Sequence, residues 1–256
     1  MKTVLTGFYS KIRFGFQNMI DRLHRTINKR LVILAFLLMV ILYYYPINNW
    51  FFRLGFIGSV LFFFLCGCIF LRKQRILLVI LITIFILPVT VFFLPGKNYD
   101  ERILNEMYVG NLKRYQGTRY LWGGENFIGI DCSGLIRRAI MDSYRDYGIR
   151  TLNGKLLREL LYLWWYDTSA WGLLAWYRNQ TTTLFKGDSI NSIDIQKLLP
   201  WDIAVTADGV HTLAYLWNNQ WIDADPILKK VIISEPQTKN YGFDVPVAIM
   251  RWKFVQ

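Results

Sequence analysis

The sequence predicts an α+β fold, helices packed on an antiparallel sheet, preceded by three membrane-spanning helices. Three observations carry this. Apolar runs crowd the first hundred residues, helical spacing dominates up to about residue 180, and short alternating runs with turn residues fill the C-terminal end. A chain that is 54 % hydrophobic and 17 % aromatic is too apolar for an ordinary water-soluble domain.

The chain opens with "VLTGFYSKIRFGFQNMIDRLHRTINKR". Leu5, Phe8, Ile12, Phe16, Met19, Leu23 and Ile27 recur at helical spacing, with Lys11, Arg22, Arg25 and Lys29 mostly elsewhere. We read residues 1–30 as a basic amphipathic segment on the cytoplasmic side, suited to lie on an anionic leaflet.

Residues 31–95 hold the three apolar runs, starting at Leu31, Leu54 and Ile76. A bilayer core about 30 Å thick needs roughly 20 apolar residues in a helix, which the second and third runs approach unaided. The first reaches that length only if Pro46 to Phe52 extend it at the interface, where Trp50 and the preceding tyrosines suit an aromatic belt. A cleavable signal peptide is a weaker reading, because no small-residue cleavage site follows.

The net charge of +12 would suit a nucleic-acid partner if it were spread evenly, but it is not. Residues 1–100 carry 12 Lys and Arg against Asp21 and Asp100, whereas the remainder carries 18 against 16 acidic residues. The basic excess therefore reports topology, and no nucleic-acid partner is expected. Seven cations precede the first run, Arg53 alone lies in the first loop, and Arg72, Lys73 and Arg75 fill the second. The positive-inside rule then places the N-terminus and the second loop in the cytoplasm and everything after Pro95 on the outer face. The expected location is the cell membrane, multi-pass, with a periplasmic or extracellular C-terminal domain.

Residues 96–256 form that outer domain. "ERILNEMYVGNLKRYQG" reads as a helix closed by Gly117, and "SGLIRRAIMDSYRDYG" as another behind Cys132. A Trp-rich insert at about 150–198 follows and reads as helical. Its Trp164, Trp165, Trp171 and Trp176 suit a core, a cleft wall or a membrane-facing edge. "DIAVTADGVHTLAYLWNNQWIDADP" then gives two strands around a turn at Asn218 and Asn219, and two further strand-like runs complete the sheet.

Chemistry-bearing residues are scarce. Cys66 and Cys68 fall in the second apolar run and His24 in the cytoplasmic segment, leaving the outer domain one cysteine, Cys132, and one histidine, His211. An internal disulfide in that domain is excluded, and no zinc-like spacing is present. Two readings of Cys132 remain, a buried inert thiol and a nucleophile. Glycines before it and a helix start behind it favour the nucleophile, because the positive end of a helix stabilises thiolate. His211 can act as base and proton donor, and Asp223 or Asp225, on one face of a strand, can hold its imidazole.

"GTRYLWGGENFIGIDCSGLIRRA" resembles the signature of the NlpC/P60 family of papain-like cysteine peptidases, and "LLPWDIAVTADGVHTLAYLWNNQWIDA" resembles that family's second half. The resemblance covers about 150 residues of the outer part. It implies Cys132 as nucleophile, His211 as base and Asp223 as the third polar residue. It also implies Tyr120, Asp131 and Ser133, with Trp122 of the same motif, as residues that bind a stem peptide. Plainer readings stand beside these: core packing for Tyr120, a helix cap for Asp131, a first-turn position for Ser133. Arg119, Trp201, Thr212 and Leu213 depart from the family pattern, which puts the substrate in doubt more than the chemistry.

The expected function is a membrane-anchored cysteine hydrolase, an NlpC/P60-like endopeptidase cutting amide bonds in peptidoglycan stem peptides. No cofactor and no metal are expected. The expected partners are the stem peptide, the lipid bilayer and a regulatory partner in the envelope. The alternatives are an acyltransferase or lipid-linked amide hydrolase of the same superfamily, and a non-catalytic envelope binding protein.

Overall fold

A computed structural model describes residues 28–236 and 240–253. Most of the amphipathic segment read over residues 1–30 lies outside the described residues. The chain divides into two compact units, one containing the described residues up to Tyr43 and Leu54–Val89, the other Tyr44–Arg53 and Thr90 onward.

The first unit is helical. Helix α1 covers residues 28–44, α2 spans Trp50–Leu71, and α3 spans Arg75–Ile86, continuing as a 3₁₀ turn over Leu87–Phe93. The change of winding begins beside Pro88, which has no N–H to donate to the α-helical ladder. Among the described residues two helices are long and apolar enough to cross a membrane: Trp50–Leu71, mean hydropathy 2.5, and Arg75–Phe93, mean hydropathy 3.1. No side chain of α3 is buried.

The second unit is mixed α and β, as the sequence pattern implies. Helix α4, Glu101–Arg114, starts where the Asp100 side chain accepts from the N–H groups of Arg102 and Ile103. Its buried face is Leu104, Tyr108 and Leu112, at i, i+4 and i+8. A two-strand hairpin, β1 (Glu125–Asn126) and β2 (Gly129–Ile130), leads into α5, Cys132–Thr151. Helix α5 runs past Gly148 and stops at Leu152, which adopts the left-handed conformation.

Helix α6, Gly154–Trp165, and the short α7, Ala170–Leu174, come next. The stretch read as a helical insert is α-helical only this far. Thr181–Gly187 form strand β3, which pairs antiparallel with β8. Three consecutive threonines followed by Leu-Phe are β-formers, a local signal outweighed in the sequence reading by the leucine spacing before it. Strands β4 (Ile203–Thr206), β5 (Thr212–Tyr215), β6 (Trp221–Asp225), β7 (Lys230–Ser234) and β8 (Val247–Trp252) complete the sheet.

The sheet is antiparallel throughout, in the order β3-β8-β4-β5-β6-β7. The β5–β6 connection turns at Asn218 and Asn219, both at positive φ, where asparagine is tolerated better than most residues. One face of the sheet packs on the helices through Leu135, Ile136, Ala139, Ile203, Ala214 and Ile222. The other is covered around Ala204, Leu213, Trp221, Phe243 and Ile249. Of the insert tryptophans, Trp164 packs against the helix–sheet core, whereas Trp165, Trp171 and Trp176 are 41 %, 61 % and 61 % exposed.

Candidate active site

The site forms where the start of α5 meets the centre of the sheet. Glycines make this approach possible. A Cβ on Gly134 would collide with the Gly124 carbonyl oxygen, and one on Gly124 would sit 2.5 Å from the carbonyl oxygen of Gly129. The paired glycines before the hairpin and the glycine two residues after Cys132 therefore let the helix start lie directly against the glycine turn.

Asp131 caps this helix. Its Oδ1 accepts from the Gly134 N–H at 2.6 Å and from Ser133 Oγ at 3.0 Å, and Oδ2 accepts from the Gly123 N–H at 2.7 Å. The capping reading of Asp131 thus describes its bonds. Burial pushes its carboxyl above the usual range, and these three hydrogen bonds oppose that rise.

Cys132 is the first residue of α5, 7 % exposed, with Sγ 3.9 Å from the carbonyl oxygen of Val210. His211 immediately precedes β5. A tight turn fixes its backbone, in which the His211 N–H donates to Thr206 Oγ1 and the Thr206 N–H to the His211 carbonyl, both at 3.0 Å. Gly209, in that turn, adopts φ +70° beneath Trp171, so the insert braces the histidine loop.

The His211 ring is almost entirely buried and bonds on two sides. Nε2 lies 2.9 Å from Asp223 Oδ2 in the middle of β6, and the Cys132 thiol is close enough to the ring to raise its pKa. Burial pulls the imidazole towards neutrality. The bonds to Asp223 and Cys132 prevail and push its pKa from 6.5 up to about 10. The other oxygen of Asp223 accepts from Asn240 Nδ2 at 3.3 Å, and Asp223 itself is fully buried.

Asp223, not Asp225, meets the histidine. Asp225 Oδ1 instead accepts from the N–H groups of Ile227 and Leu228 at 2.6 and 2.8 Å, closing the turn after β6.

A cleft of about 710 Å³ opens above the pair, lined by Tyr120, Trp122, Asp131, Cys132, Ser133 and His211. The structure therefore gathers six of the seven residues singled out in the sequence around one cavity and places the seventh, Asp223, behind the histidine. Tyr120 is half-buried, and burial first, then Cys132 and Asp131, push its phenol up to about 12. Trp122 is 82 % exposed at the cleft mouth.

Further residues of the site escaped the sequence reading. Asn240 and Thr206 carry no motif and are recognisable only through their bonds. Asp167, Thr168, Ser169 and Ala170 of the insert line the cleft, as do Ile47, Asn48 and Asn49 from the loop before α2.

No known family model and no curated protein matches the chain. Among solved structures, NlpC1 from Trichomonas vaginalis is similar at 20 % identity over 61 % of this chain and 46 % of its own, with a TM-score of 0.39. NlpC2 from the same organism is 18 % identical over 60 % of this chain and 49 % of its own, TM-score 0.38. The peptidoglycan hydrolase RipB from Mycobacterium tuberculosis is 18 % identical over 57 % of this chain and 64 % of its own, TM-score 0.36. The chain thus spans about half the length of the two Trichomonas proteins. In its two sequence motifs the C-terminal unit resembles the NlpC/P60 family.

Proposed function

We propose that the chain is a membrane-anchored cysteine hydrolase that cleaves amide bonds in peptidoglycan stem peptides. One observation carries this reading: the single cysteine and single histidine of the C-terminal unit meet at the floor of a cleft, with a buried carboxylate on the far side of the histidine. A thiol kept only for packing needs no such partners.

In the proposed mechanism the Cys132 sulfur, at a helix start and beside the His211 imidazolium, attacks the amide carbonyl carbon as thiolate. First-turn N–H groups of α5 stabilise the oxyanion. The C–N bond then breaks, His211 gives its proton to the departing amine, and a thioester remains on Cys132. Water attacks this thioester as His211 takes up its proton, the C–S bond breaks to return the Cys132 thiolate beside the His211 imidazolium, and a carboxylic acid leaves. Asp223 holds the ring in register through both steps. Tyr120, Asp131, Ser133 and Trp122 border the space beside the sulfur and are assigned to hold the peptide.

Membrane anchoring rests on the two long apolar helices and on the unburied side chains of α3, a surface too large and apolar for water. A third crossing, by α1, is proposed from the basic residues that precede it. Residues 44–53 belong to the same compact unit as the catalytic cleft, so both lie on one side of the membrane, as an even number of crossings by α2 and α3 requires. Arg72 and Lys73 between α2 and α3, with Arg75 opening α3, assign the opposite side to the cytoplasm.

The test is incubation of purified peptidoglycan with the full chain in detergent, read by mass spectrometry beside the Cys132→Ala variant. New stem-peptide fragments that vanish with the variant support the reading. Their absence from a folded chain whose Cys132 reacts with thiol probes redirects it to lipid-linked amides.

A further inference from the structure

We infer that residues 44–53, the loop 45–49 with the last residue of α1 and the first turn of α2, form a wall of the catalytic cleft that selects what enters it, and that Arg53 in that first turn is the positioning residue holding it there. For what the cleft admits, this rests on the hydrolase reading above.

The loop joins the catalytic unit through its backbone. Ile47 bridges Gly124 in antiparallel fashion, the Glu125 N–H donates to the Pro46 carbonyl at 2.9 Å, and the Asn48 N–H donates to the Gly123 carbonyl at 3.4 Å. The Asn126 side-chain amide donates to the carbonyls of Tyr44 and Tyr45 at 3.1 and 3.2 Å. The loop therefore adds one antiparallel bridge pair to the glycine turn that precedes Cys132, the turn against which Gly134 at the start of α5 packs. Ile47, Asn48 and Asn49 line the cleft from this loop.

Arg53 locks the arrangement. Only 1 % exposed, it donates from Nε to Asn48 Oδ1 at 3.2 Å, from one terminal nitrogen to the Asn48 carbonyl at 2.5 Å, and from the other to the Trp165 carbonyl at 2.7 Å. It also lies 3.8 Å from Glu125 and 3.7 Å from Asp167. Arg137 faces the same two carboxylates at 2.8 and 2.5 Å. Two guanidiniums and two carboxylates thus balance in charge where the loop, the hairpin, α5 and the insert meet. Asn48 Nδ2 completes the knot with a 2.6 Å bond to Glu125.

Such burial has a direct consequence. A planar fork reaching two carbonyls and an amide oxygen has no lysine equivalent, so the geometry requires arginine. A surface cation kept only to orient membrane insertion has no need of any of these partners.

The experiment measures alkylation of Cys132 in the full chain, read by peptide mass spectrometry, with a small reagent, iodoacetamide, and a bulky one, fluorescein maleimide. It compares the wild type with Ile47→Trp, which narrows the cleft, and Arg53→Lys, which releases the loop. We expect the ratio of bulky to small reactivity to fall on the order of tenfold in Ile47→Trp and to rise by a similar factor in Arg53→Lys. General unfolding would instead raise both rates together. A ratio unchanged in folded Ile47→Trp overturns the inference, and this variant carries the test alone if Arg53→Lys does not fold. Because alkylation needs no turnover, a shifted ratio without peptide hydrolysis upholds the wall and removes the stem-peptide reading. Cys132-dependent hydrolysis with an unshifted ratio does the reverse.

Discussion

His211 Nε2 lies 2.9 Å from Asp223 Oδ2, and both side chains are buried. The bond fixes which ring nitrogen faces the thiol. Asp223→Asn should keep the shape, lose the acceptor that suits an imidazolium, and lower kcat by roughly 10²- to 10⁴-fold. Asp225→Asn, at the turn after β6, should leave kcat within a few-fold. Steady-state kinetics on a stem peptide, with circular dichroism confirming the fold, checks both.

The pH dependence follows from the same bond. Burial disfavours the charged imidazole, but Asp223 and Cys132 raise its pKa from 6.5 to about 10. A group whose pKa is raised on folding contributes stability that is fully present below about 6.5 and is lost as pH rises through about 10. The melting temperature of the wild type relative to His211→Gln should therefore decline across that window. The alkaline limb of kcat/KM should fall near pH 10, where the leaving amine loses its proton donor.

Asn240 holds the second oxygen of Asp223 at 3.3 Å. Asn240→Ala leaves that buried oxygen short of a partner, which costs about 1–3 kcal/mol. We expect a lower melting temperature and a loss in kcat smaller than that of Asp223→Asn. Equal losses would mean that Asn240 does more than orient the carboxylate.

Gly134 tests the approach of α5 to the glycine turn. Its substitution by alanine places a methyl group against the Gly124 carbonyl, with nowhere for backbone to yield. The expected cost is about 1–3 kcal/mol, seen in thermal unfolding, with a matching loss of activity because the helix start carries Cys132.

Much of this site was legible in the sequence because its signals are local. "DCSG" after paired glycines announces a capped helix start, and one cysteine and one histidine leave a single pairing. Strand alternation alone did not choose between Asp223, which the family resemblance implied, and Asp225: it puts both on one face, and the bonds of Asp223 to His211 and of Asp225 to the turn N–H groups of Ile227 and Leu228 separate them. Arg53 was read as a topology signal, since nothing near it in sequence reveals that Glu125 and Asp167 await it. Strand β3 was missed because its partner, β8, lies some sixty residues downstream, where local periodicity does not reach.

The most direct test of Cys132 as the nucleophile is to quench the full chain within a turnover on a stem peptide and weigh the intact protein. A cysteine hydrolase shows a mass increase equal to the acyl half of the cleaved peptide, localised to Cys132 as a thioester and absent from Cys132→Ala. Hydrolysis that proceeds equally well in Cys132→Ala would contradict it.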